Sequence, residues 1–107
     1  MTMPETKRMQ QIRALLADDP ADPFLRYGLA LEYAGQGDDA TAAGHFRDLI
    51  AASPEYVPAY LMLGQALVRL GDDEGAKDVL RRGIAAAGRA GNEHAQGEMQ
   101  ALLDSLD

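Results

Sequence analysis

The chain matches itself when shifted by 34 residues: Leu29 falls on Leu63, Gly37-Asp38-Asp39 on Gly71-Asp72-Asp73, and Ala42 on Ala76. Arg47 then falls on Arg81, and Ile50-Ala51-Ala52 on Ile84-Ala85-Ala86. Thirty-four residues is the length of a helix–turn–helix unit that cannot bury its own apolar face and stacks on a neighbour. A chain built this way is a small helical solenoid, and solenoids display extended surfaces to partners.

With 107 residues there is room for one domain and one core. Tryptophan is absent and only six residues are aromatic, so that core must be aliphatic, mostly Leu and Ala. Cysteine is absent too, which excludes disulfides, thiolate zinc sites and a cysteine nucleophile. The N-terminus Met1-Thr2-Met3-Pro4-Glu5 has no apolar run resembling a secretory signal. The densest apolar stretch, 59–63, is far shorter than the roughly 20 residues that span a bilayer. These features lead to an expected cytoplasmic location. Ten basic against 17 acidic residues give a net charge of −7, which repels phosphate backbones. Nucleic acid and anionic membrane are therefore not expected partners.

Helix punctuation is regular. Thr2-x-x-Glu5 has capping-box spacing with Pro4 in the first turn, and Met9, Ile12, Leu15 and Leu16 form one apolar stripe before Asp18-Asp19-Pro20. Asp22-Pro23 opens a second helix running to about Ala34, ended by Gly35 and Gly37. Asp38-Asp39 caps a third, closed by Ser53-Pro54. A fourth runs from about Glu55 or Val57 to Leu70-Gly71, and Asp72-Asp73 starts a fifth. Gly88 and Gly91 bracket a short break, after which Asn92 caps a sixth helix with Ala95, Met99, Leu102, Leu103 and Leu106 on one face.

Residues within the repeats carry a recognisable pattern. One unit reads Tyr60-x2-Leu63-Gly64-x2-Leu67, then Ala76-x3-Leu80. The other reads Arg26-x2-Leu29-Ala30-x2-Tyr33, then Ala42-x3-Phe46, then Pro54. This resembles the tetratricopeptide repeat, whose signature is W-x2-L-G-x2-Y, A-x3-F and a closing P. Arg26 and Gly88 depart from it, replacing the early aromatic and the final proline. The resemblance implies an all-α, right-handed α-solenoid of helix–turn–helix repeats with about six helices. Its parts would be an N-terminal helix in 1–19, repeats over 20–54 and 55–88, and a C-terminal capping helix in 89–107.

In that family the first helices of successive units line a concave groove that receives peptides or partner helices. Carried over, the resemblance places Phe24, Tyr27, Leu31, Leu61, Met62, Gln65 and Arg69 toward the groove. Helix 24–34 is apolar nearly all round, a pattern normally buried on both faces. A subset of the family grips a C-terminal carboxylate with Lys, Arg and Asn side chains in the groove. In the corresponding row here only Arg69 is basic, so that mode is not expected.

Catalytic and metal patterns are missing from the sequence. His94 and Glu98 share a helix face, but two ligands fall short of the three or four that zinc takes. His45 is placed at a solvent-facing step beside Arg47 and Asp48. The paired acids at 38–39 and 72–73 follow a glycine and precede a helix, which makes them caps. There is no phosphate loop, G-x-S-x-G elbow or H-E-x-x-H. The expectation is a non-enzymatic module without cofactor or metal that binds a protein or peptide in an apolar groove. The alternative is a structural module that homodimerises through the same surface.

Overall fold

A computed structural model describes residues 5–107. Within them every regular element is a helix: α1 (Lys7–Asp18), α2 (Pro23–Gly35), α3 (Asp39–Ala52), α4 (Val57–Arg69), α5 (Asp73–Arg89) and α6 (Glu93–Ser105). Consecutive helices pack on one another, and α4 also touches α6. The result is the all-α helical repeat expected from the 34-residue register.

Local chemistry explains most of the boundaries. The side chains of Asp22, Asp38, Asp72 and Asn92 each accept the backbone N–H three residues on, at 3.2, 3.2, 3.0 and 3.0 Å. Each thereby satisfies a donor that the first helical turn leaves unpaired. Pro23 occupies the first position of α2, where its missing N–H costs nothing. The start of α1 differs from expectation. Thr2 and Pro4 lie outside the described residues, and the cap is Thr6, whose hydroxyl accepts from Met9 N–H at 3.0 Å.

The repeat is written in backbone angles as well as in sequence. Asp19 and Ser53, 34 positions apart, end α1 and α3 at φ −139, ψ 77 and φ −137, ψ 76. Gly37 and Gly71, also 34 apart, adopt φ +82 and +83. Only glycine takes that conformation without steric penalty. The same left-handed turn occurs a third time at Gly91 (φ +69), followed directly by the Asn92 cap. The break near residue 90 is therefore made by Gly91 alone, and Gly88 lies inside α5. Helix α5 has 17 residues where α3 has 14. Consequently α6 starts at Glu93, later than residue 91, where a strict 34-residue step from Val57 would place it.

The core runs through α2 to α6, with Phe46, Leu49, Leu63, Leu80 and Met99 fully enclosed. Two glycines allow the helices to close. A Cβ on Gly64 would sit 2.7 Å from Leu80 Cδ2, and one on Gly83 would sit 2.5 Å from both Tyr60 Cβ and Met99 Sδ. Tyr60 donates its hydroxyl proton to the Pro54 carbonyl at 2.6 Å, so the buried ring leaves no stranded polar atom. A second, smaller cluster of Met9, Ile12 and Leu29 attaches α1 to α2. Leu15 does not join it. It is 54 % exposed, so the α1 stripe narrows to Met9, Ile12 and the half-buried Leu16.

Candidate partner-binding cleft

Helices α2, α4 and α6, the first members of successive hairpins, converge on a cleft of about 270 Å³. Its apolar floor is Tyr27 from α2, Val57, Leu61 and Met62 from α4, and Ala95 and Met99 from α6. Pro58, Asn92, His94 and Glu98 form the rim. Small-molecule sites commonly span about 300–1,000 Å³. This cleft falls just below that range, a size suited to one or two side chains of a larger partner.

Tyr27 is held firmly in this wall. Its ring is tilted against Phe46 at 6.0 Å and against Tyr56 at 5.4 Å. Such tilted pairs contribute about 0.5–1.5 kcal/mol each beyond their buried area. Burial, then the neighbouring Tyr56, raises the Tyr27 pKa, and burial followed by Asp22 raises that of Tyr56. Both phenols thus stay protonated at neutral pH and remain able to donate.

Of the groove residues expected from sequence, Tyr27, Leu61 and Met62 meet in the cleft. The others do not line it. Phe24 is 72 % exposed and Leu31 37 % exposed, so α2 is not covered all round. Gln65 is half-buried one turn beyond Leu61. Arg69 donates from Nε to Asp39 Oδ1 at 2.9 Å, which ties the end of α4 to the first turn of α3. Its charge is already committed to the fold.

Sequence reasoning misses the α6 contribution, although a signal for it exists. Met99 and Leu103 repeat the buried Leu63 and Leu67 at a spacing of 36, two more than the repeat, as the later start of α6 requires. Gly97-Glu98, where a strict 34-residue step wants Leu-Gly, obscures that correspondence.

His45 is also not where the sequence puts it. It is half-buried and stacked on Tyr33 at 5.2 Å with an interplanar angle of 9°. Arg13 of α1 donates to the Tyr33 hydroxyl, so three helices meet at this stack. His94 is exposed, as expected, and lies 3.0 Å from Glu98 Oε1. Among the described residues no three His, Cys, Asp or Glu side chains gather closely enough to hold a metal ion. No helix there is long and apolar enough to cross a membrane.

A larger depression of about 340 Å³ lies between α3 and α5, edged by Arg47, Asp78 and Arg82. Ile50, Leu63, Leu67 and Val79 floor it, and all four are core side chains no more than 6 % exposed. It differs from the Tyr27 cleft chiefly at its edge, where three charged side chains stand.

Comparison with known proteins agrees with this architecture. Residues 33–103 match a family model described as tetratricopeptide repeat. The chain is 31% identical over 99 residues to the TPR repeat-containing protein PA0015 of Pseudomonas aeruginosa, covering 92% of this chain and 94% of that protein. Among solved structures, it is similar to protein BPP2914 from Bordetella parapertussis, with a TM-score of 0.83 and 30% identity over 94% of this chain and 88% of that one. A tetratricopeptide repeat domain protein from Salinibacter ruber gives a TM-score of 0.76 and 32% identity, covering 79% and 94% respectively.

Proposed function

The chain belongs to the tetratricopeptide repeat family, whose domains generally mediate protein–protein interaction and are generally non-catalytic scaffolds, and from that premise we propose that it binds a peptide or partner helix through the Tyr27 cleft. One observation carries the reading: three helices distant in sequence leave an apolar floor open at the place where they converge. Leu61 and Met62 remain partly accessible there, beside the rigidly packed Tyr27. A rigid aromatic next to adaptable aliphatic side chains is the composition that concentrates binding energy in a few contacts.

An apolar side chain entering this floor gains about 25 cal/mol per Å² removed from water. Leu61→Asp puts a charge on the floor and should abolish partner capture while the circular dichroism spectrum stays helical. Capture by Leu61→Asp equal to wild type would remove the cleft from consideration.

Self-pairing is the second reading, and Phe24 with Leu31 favours it. These two exposed apolar residues lie seven positions apart on α2, about two helical turns. Symmetric dimers are the commonest oligomers, and such a stripe could pair with its copy. Sedimentation across a wide concentration range separates the readings. A dimer dispersed by Phe24→Asp supports self-pairing, and a monomer throughout dismisses it.

A further inference from the structure

The chemistry of the cleft rim points to the kind of partner. We propose that the partner segment is cationic, presenting a large apolar side chain to the floor with Lys or Arg within about one helical turn of it. The proposal rests on the cleft reading above and adds the partner's charge to it.

Among the described residues lining the cleft, Glu98 is the one Asp, Glu, Lys or Arg, and it lies 3.0 Å from the exposed His94. Helix α6 supplies that wall, and residues 90–107 hold four carboxylates (Glu93, Glu98, Asp104 and Asp107) with neither Lys nor Arg. No Lys or Arg is among the described residues lining the cleft, and several basic residues elsewhere are engaged. Arg69 pairs with Asp39, Arg8 with Glu32, and Lys77 lies 3.4 Å from both Glu74 and Asp107. Arg26 donates to the Pro20 carbonyl at 2.8 Å.

The opposing effect is the partial positive charge at the starts of α4 and α6, which border the same cleft. At α6 it is offset by the Asn92 cap and by Glu93 in the first turn. At α4, Pro58 carries no N–H and Ala59 N–H is engaged by the Tyr56 carbonyl at 3.3 Å. A full carboxylate charge on the rim, within a chain of net charge −7, outweighs these fractional ones. An acidic segment would meet Glu98 head-on, whereas a basic one complements it and is steered toward it.

The test is a random twelve-residue peptide display library panned against wild type, Glu98→Lys and Leu61→Asp. Glu98 is exposed and its charge partner among the described residues is the surface His94, so its replacement should leave the fold intact. Wild type should enrich peptides with an apolar anchor and a Lys or Arg excess, and Glu98→Lys should lose that excess. A synthetic peptide from the wild-type pool should bind Glu98→Gln about threefold more weakly, the scale of one exposed ion pair. Its affinity should also fall as salt shortens the range of the field. Peptides that need Leu61 but show no charge bias, or bind Glu98→Lys equally well, overturn the charge inference and leave the cleft reading standing. If nothing is enriched, or enriched peptides ignore Leu61→Asp, the cleft reading fails and this inference with it.

Discussion

His45 shows how much one residue's environment depends on helices distant in sequence. Its pKa is lowered first by burial and then by the Arg13 guanidinium, with Arg26 acting the same way and Asp48 opposing them. The folded chain therefore resists protonation more than the unfolded chain, whose histidine titrates near 6.5. As pH falls below about 7 the unfolded state takes up the proton first, so stability drops through that window. We expect the melting temperature to fall between pH 7 and pH 5, and His45→Gln to flatten part of that slope. Identical slopes for the two proteins would show that the stack with Tyr33 has no role in the pH response. Arg69 carries a parallel lesson. Its position in the helix row suggests the groove, but Asp39, 30 residues away, takes its guanidinium.

At the scale of the helix, the glycines divide by what surrounds them. Gly97 lies in the middle of α6, and a Cβ added to it would meet nothing within 4 Å, so its flexibility serves no contact there. Gly97→Ala should raise stability by about 0.5–1 kcal/mol in thermal or denaturant melts, through helix propensity alone. Gly83 is the reverse case. A Cβ there meets Tyr60 Cβ, an atom fixed to the α4 backbone, so α4 and α5 would have to separate. Gly83→Ala should cost about 1–3 kcal/mol despite the better propensity. Gly64→Ala should cost less, because the atom in its way is the movable tip of Leu80. Equal losses at the two sites would contradict this ordering. The caps at Asp38, Asp72 and Asn92 are readable in the sequence as a glycine followed by Asp or Asn. Gly88 reads there as a break, because a glycine inside a helix and one ending it look alike without the backbone angle.

For the molecule as a whole, stacking in one dimension makes stability uneven along the chain. In such arrays each unit is supported chiefly by its neighbours, and the ends open first. Helix α1 is held through the small Met9, Ile12 and Leu29 cluster on α2, whereas α3, α4 and α5 have packed neighbours on both sides. Hydrogen exchange should therefore release α1 amides earliest and those of α3 to α5 last. Uniform protection along the chain would mean that α1 belongs to the same cooperative unit as the rest. The other end behaves differently, because α6 buries Met99 completely and contacts both α4 and α5. The α6 wall of the cleft is thus built into the main core.

The repeat period, the helical class, the Asp and Asn caps and the close approach at Gly64 follow from sequence, because each depends on residues within one or two helical turns or on a fixed step. Which apolar side chains stay open was decided by tertiary structure. Leu61, Met62 and Tyr27 form a cleft because α6 packs against α4 and α5 and closes its far side, while Phe24 and Leu31, equally apolar in sequence, face outward. Local pattern sets what a helix must bury, and the arrangement of its neighbours sets what it leaves exposed.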